Sequence, residues 1–119
     1  MCLDSIDSTF KLPKRNFGWK VFQDDPPVLL SLFYLMDFKT NKWICDRRDG
    51  RIRINKKESY KTGLHFYRTR EDARNILHQK MKRVIRKVEF DRESVTATGI
   101  QTGMRVIVAR RIKILDTRG

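Results

Sequence analysis

The segment Gly63-Leu64-His65-Phe66-Tyr67-Arg68-Thr69-Arg70-Glu71-Asp72-Ala73 constrains the fold more than any other part of the chain. Leu64 and Phe66 alternate with His65 and Tyr67, the two-residue period of a strand with one apolar and one amphipathic side. Thr69 stands three residues before Asp72, the capping-box spacing. Its hydroxyl can take the amide of the third helical residue, and the carboxylate can reach back to the cap's own amide. Glu71 and Asp72 put negative charge in the first turn, where the helix dipole favours it. Ala73, Ile76, Leu77 and Met81 continue as one narrow apolar stripe. The spacing predicts a strand running into a helix over about 70–82, and such a stripe needs a sheet to lie on.

A chain of 119 residues reads as a single domain, 1–119, large enough to bury a core. Seven Phe, three Tyr and two Trp can fill it. Lys and Arg number 27 against 14 Asp and Glu, a net charge of +13. Solubility needs far less, so the excess points to a polyanionic partner. Nucleic acid, DNA or RNA, comes first. An acidic protein surface, an anionic membrane and a phosphorylated small molecule are the alternatives. Cys2 and Cys45 allow one disulfide and no framework. Asp4 and Asp7 interrupt any apolar leader. The longest apolar run, Val28 to Met36, is far shorter than the roughly 20 residues of a membrane span. The expectation is a reduced protein of the cytoplasm or nucleus, with no membrane span.

Gly18 to Phe22 reads as a strand and Gln23 to Pro27 as a turn, because two prolines remove two amide donors. Residues 28–33 read as irregular or extended, and 33–38 as strand. Asp49-Gly50 is a hairpin dipeptide. Folding about it pairs Arg48 with Arg51, Arg47 with Ile52, Asp46 with Arg53, Cys45 with Ile54 and Trp43 with Lys56. Trp43, Cys45, Ile52 and Ile54 then share a core face. Strands follow the helix at 84–90, 95–98 and 104–115, with Gly99 and Gly103 bracketing a turn. In the last strand Met104, Val106, Val108, Ile112 and Ile114 share one face, interrupted by Arg110. Arg105, Arg111 and Lys113 share the other with Ile107 and Ala109. The fold class is α+β: a bent antiparallel sheet or small open barrel with one main helix. Phe66, Ile76, Leu77, Val88, Val106 and Val108 are the expected core.

The start Met1-Cys2-Leu3, the strand Gly18-Trp19-Lys20-Val21-Phe22, Gly63-Leu64-His65-Phe66 with Glu71-Asp72-Ala73, Val84 to Phe90, and Val106 to Ile114 occur in that order. Together they resemble a loose group of small proteins from phages, large DNA viruses and some cellular genomes. Its pattern is an MCL start, a G-x-K-V-F strand, a G-[FL]-H-x-F strand leading into a D-A helix, and a closing V-x-V-A-R-x-I-x-I strand. The resemblance covers most of the chain except about 23–58. It implies a viral or phage origin and carries over no site.

The basic residues fall in clusters: Lys11, Lys14, Arg15 and Lys20; Arg47, Arg48, Arg51, Arg53, Lys56 and Lys57; Lys80, Lys82, Arg83, Arg86 and Lys87; Arg105, Arg110, Arg111 and Lys113. Any one cluster taken alone reads more readily as a solvated strand edge or helix end. Jointly they say more, because Asp49 is the only acid within 47–57 and none lies between Asp72 and Glu89. Arginines on a two-stranded ribbon can pair phosphate oxygens bidentately. The candidate nucleic-acid contacts are Arg47, Arg48, Arg51, Arg53, Lys56, Lys57, Lys82, Arg83, Arg105, Arg111 and Lys113. Tyr60, Tyr67 and Trp43 are possible stacking partners, although the hairpin pairing assigns Trp43 to the core. No recognition-motif signature is present, so the contact should be sequence-tolerant.

Cys2 would become an N-terminal nucleophile if Met1 were removed. A small buried hydrophobe is the plainer reading. Cys45 is placed in the core and inert. His65 could serve as a base but has no carboxylate or nucleophile at a recognisable spacing. His78 joins the basic helix end. Cysteines and histidines at 2, 45, 65 and 78 have no metal-site spacing, and no phosphate loop or nucleophile elbow calls for a cofactor. The sequence therefore reads as a non-catalytic basic module contacting nucleic-acid backbone, in a viral or phage accessory or structural protein. The alternative is a protein-interaction module, a virion component or inhibitor of a host factor, that meets an acidic partner. A small enzyme using Cys2 or His65 comes third.

Overall fold

The structure, a computed structural model, describes residues 3–7, 11–25, 28–31, 37–38, 41–74 and 83–118. Its first half holds β1 (Ser5–Ile6), β2 (Phe17–Asp25), β3 (Val28–Ser31), β4 (Asp37–Phe38), β5 (Trp43–Cys45), β6 (Arg51–Arg53), β7 (Ser59–Lys61) and β8 (Leu64–Tyr67). Helix α1 (Arg70–Arg74) follows, then β9 (Arg83–Phe90), β10 (Val95–Gln101), β11 (Met104–Ala109) and β12 (Arg111–Arg118). The main sheet runs β1-β10-β11-β8-β2-β9-β12-β5, with β3 and β4 branching from β2. Every pairing is antiparallel, and the sheet stays open. β6 and β7 form a separate two-stranded ribbon. The described residues are thus mostly β with one short helix. The expected antiparallel sheet is present, and the balance of an α+β fold is not.

β2 is the axis. One of its edges pairs with β9 from Phe17↔Glu89 to Gln23↔Arg83. The other meets β8 at Trp19↔Tyr67 and then β3 from Phe22↔Ser31 to Asp25↔Val28. Gly18 permits the β2–β8 approach: a Cβ there would lie 2.3 Å from Phe66 Cδ2. Strand alternation gives the sheet two apolar sides. One cluster gathers Phe22, Leu64, Phe66, Val88, Phe90, Ile107, Ile112 and Ile114. The other, with Leu3, Val21, Tyr60, Tyr67, Ile85, Val106 and Val108, lies on the opposite side and takes Ala73 of α1.

The strand does run into a helix capped by Thr69, but it has no amphipathic outer side: Leu64, His65, Phe66 and Tyr67 are all buried, because β8 is an inner strand with a core on each side. The Asp72 amide donates to Thr69 Oγ1 at 3.2 Å, and the Asp72 carboxylate accepts the Arg105 amide at 3.2 Å, tying α1 to β11. Phe66, Val88, Val106 and Val108 are fully buried. The expectations for Cys2, Ile76, Leu77, His78, Met81 and Lys82 lie outside the described residues, as does the helix beyond Arg74.

Four local expectations are corrected. β2 continues to Asp25, through residues expected to lie in a turn, and pairs with β3 from Asp25↔Val28 onward, so 28–31 takes the extended alternative of its reading as regular strand. The hairpin about Asp49-Gly50 does not form. β5 pairs with β12 (Lys113↔Trp43), and β6 pairs with β7 (Ile52↔Tyr60). Gly50 does take positive φ (+129°), in a bend whose carbonyl accepts the Thr62 amide. The closing strand is two strands. A bend at Arg110 shifts the alternation, so Ile112 and Ile114 join Ile107 in one core while Met104, Val106 and Val108 stay in the other. Finally, the β10–β11 turn is Thr102-Gly103, both at positive φ, and Gly99 lies within β10. A Cβ on Gly99 would stand 2.2 Å from the Ser5 carbonyl oxygen, so this glycine admits β1 rather than making a turn.

Candidate nucleic-acid interface

On the β6–β7 ribbon, alternation turns Ile52 and Tyr60 inward, where both pack in the second core. It turns Arg51, Lys61, Arg53 and Ser59 outward, with Arg51 directly opposite Lys61 and Arg53 opposite Ser59. Arg51 is held by Nε donating to Ser59 Oγ (2.9 Å) and Nη2 to the Ser59 carbonyl (3.0 Å), yet it remains exposed. At the ribbon tip Asn55 Oδ1 accepts the amides of Lys57 (2.8 Å) and Glu58 (2.9 Å), and Lys56 and Lys57 project into solvent. A groove of about 500 Å³ beside the ribbon is lined by Arg51 and Lys61 and by Val95 to Thr98 of β10.

A second surface lies on β2–β9–β12–β5, on the side that carries the second core and beyond the residues that form it; Trp19 is partly buried against that core. The registers place Phe17, Glu89, Lys113 and Trp43 in one row across four strands. Trp19 and Lys87 form the row beside it, and Arg111 sits opposite Cys45. Each aromatic group carries cations. Arg111 lies 4.8 Å and Lys113 6.0 Å from the Trp43 ring centroid. Lys87 lies 4.4 Å from Phe17 and 5.8 Å from Trp19. Trp43 and Cys45, both assigned to the core by sequence, are exposed; Trp43 is 39% accessible. Their inward neighbour is Ile44, which packs on the first core, so β5 turns its other two side chains outward.

Not every predicted contact residue is available for a ligand. Arg48 grips Asp46 with two bonds (Nε–Oδ1 3.1 Å, Nη2–Oδ2 2.9 Å) and also donates to the Gly63 carbonyl. It is a structural clamp. Arg105 lies on β11, across the sheet from Arg111 and Lys113 rather than beside them, 3.9 Å from Asp72. Arg47, Arg53, Lys56 and Lys57 are exposed. Arg83 opens β9 with its side chain outside the described residues, as is all of Lys82.

The buried polar groups form a third assembly. Burial pushes the Asp46 pKa up, but hydrogen bonds from the Arg48 side chain and amide, with the Arg48 and Arg110 charges, hold it below its ordinary value. Lys20, 6% exposed, donates from Nζ to the His65 carbonyl at 2.5 Å. Burial, aided by the nearby Arg48 charge, lowers its pKa to about 8. His65 is buried too. Burial first, and the Lys20 ammonium second, lower its pKa to about 3. The Leu3 amide donates to the Tyr60 hydroxyl (3.1 Å), which lies 2.9 Å from His65 Nε2. His65 is therefore a neutral ring locked into the core, with the Tyr60 hydroxyl as its partner. Among the described residues no group of three or more His, Cys, Asp or Glu could hold a metal ion, and no helix is long and apolar enough to cross a membrane.

Sequence reasoning missed Phe17 and Lys61, placed Lys87 in a basic cluster without naming it a contact, and demoted Trp43. Only strand register sets Lys61 opposite Arg51 on the ribbon and brings Phe17, Lys87 and Trp43 together on the main sheet. No family model, curated protein or solved structure matches the chain. What the geometry defines is a mostly-β scaffold with a closed polar centre and exposed basic, partly aromatic faces.

Proposed function

We propose that the protein is a non-catalytic binding module that contacts nucleic-acid backbone without sequence specificity. The resemblance to small phage and large-DNA-virus proteins supports an accessory or structural role in such a particle or in its infected cell. The observation that carries the reading is the outward face of the ribbon: Arg51 directly opposite Lys61, with Arg53 beside them. Like charges facing each other across a strand pair destabilise it. A bridging phosphate relieves that repulsion and takes the free edge of a guanidinium. His65 and Lys20, the groups an enzyme would recruit, are buried and engaged with Tyr60 and backbone.

The test is a salt titration of binding to mixed-sequence DNA and RNA. Each neutralised phosphate releases counterions, so log K should fall linearly with log salt, with a slope of about −0.9 per contact on duplex and about −0.7 on single strands. Replacing Arg51 and Arg53 by Gln should shallow the slope by about one to two units and weaken all sequences alike. A flat salt dependence would sink the proposal. Binding confined to one acidic protein at physiological salt would replace it with the protein-interaction reading.

A further inference from the structure

We infer that the preferred nucleic acid is a single strand, whose bases stack on the second surface, on β2–β9–β12–β5, with Trp43 as the principal platform. The inference rests on the backbone-contact reading above and names the form of ligand that this second surface takes.

Three observations carry it. Trp43 is the only large hydrophobic side chain exposed among the described residues, on a strand that ends the sheet. The part of an indole left in water at an edge strand adds little to the fold, whereas a base laid on it is removed from water together with it. Next, the cations are already beside the rings: Arg111 and Lys113 at Trp43, Lys87 at Phe17 and Trp19. A nucleotide presents a planar apolar base and an anionic phosphate as one unit, and each of these clusters offers a ring and a cation as one unit. Last, the row Phe17–Glu89–Lys113–Trp43 separates its two rings by three strand spacings, roughly 14 Å. That leaves room for successive bases along the face, the arrangement by which a four-stranded sheet can stack two or three of them. Glu89, the one acid in that row, repels phosphates and keeps the backbone to the cationic margins.

A duplex cannot use this surface in the same way, because its bases are stacked on one another and present only edges and phosphates. The ribbon is indifferent to that difference, and the Trp43 face is not.

The experiment compares oligothymidylate with a duplex of equal length, using the full chain and three variants. Wild-type protein should bind the single strand more tightly. Trp43→Ala should lose roughly tenfold or more on the single strand, lose little on the duplex, and keep the salt slope. Trp43→Phe should restore most of the loss. In Trp19→Phe protein, where Trp43 is the sole indole, oligothymidylate should quench the fluorescence. Equal losses on both forms in Trp43→Ala, no loss at all, or unquenched fluorescence overturns the inference. If the Arg51 and Arg53 substitutions weaken binding while Trp43→Ala does not, the single-strand inference fails and the backbone reading stands. If wild-type protein binds neither form, both fail.

Discussion

Arg110 and Asp46 hold each other across 64 residues of chain: Arg110 Nη2 donates to the Asp46 carbonyl at 2.8 Å, and Nη1 lies 3.9 Å from the Asp46 carboxylate. The same Nη1 donates to the Arg48 carbonyl (2.7 Å) and to the Thr62 hydroxyl (2.8 Å). One guanidinium thus fastens the loop after β5 to the end of the ribbon, at the bend where the closing strand divides.

Arg110→Ala should therefore destabilise the protein by roughly 2–4 kcal/mol, because it strands several carbonyls and removes one cation partner of a carboxylate whose side chain is fully buried. Arg110→Lys should recover little of this, since a single ammonium cannot reproduce the planar fork. Urea denaturation of the two variants measures both effects. Wild-type stability in the lysine variant would refute the role.

Acid should unfold the protein partly through His65. Its pKa is about 3 when folded against 6.5 in the unfolded chain. Between those values the unfolded state binds the extra proton, so stability is lost as pH falls from 6.5 toward 3. Near pH 4 the loss from this one group is roughly 3 kcal/mol. His65→Gln, which cannot titrate, should flatten that limb of the stability–pH curve. An unchanged limb would mean that the ring is not held neutral.

Lys20 makes the opposite end of the pH range informative. Its pKa is lowered from 10.5 to about 8, so the cost of burying its charge is fully present below pH 8. As pH rises from 8 to 10.5 the folded state sheds the proton first, and stability relative to Lys20→Met should rise, on the order of 3 kcal/mol in all. Parallel curves for the two proteins across that window would contradict the burial. The groups that face Lys20 are Arg48, Asp46, the Phe22 ring and the His65 carbonyl.

Thr69→Ala should cost about 1 kcal/mol, the usual value of a lost N-cap, because the Asp72 amide loses its acceptor. Thr69→Ser should cost much less. Thermal melts of both variants decide it, and equal losses would show that the methyl rather than the hydroxyl matters.

What the sequence determined by itself was local. The Leu64–Tyr67 strand, its run into a helix capped by Thr69, the positive φ at Gly50 and the antiparallel β character follow from side-chain alternation and from hydrogen bonds spanning a few residues. Partner choice was not local. Asp49-Gly50 is as good a hairpin signal as the chain contains, yet β5 gains more by covering the open edge of β12, where Ile44 packs onto a buried Ile112, than by pairing with β6. That one exchange carries Trp43 from an expected core to an exposed face and commits Arg48 to Asp46. The bend at Arg110 has the same origin. Period-two reasoning passes straight through it, because the carbonyls that draw its guanidinium aside belong to residues 46, 48 and 62, invisible to any local window. Tertiary structure thus decided which cations are free for a ligand and which hold the fold, because only packing brings distant carbonyls and carboxylates within reach of an arginine.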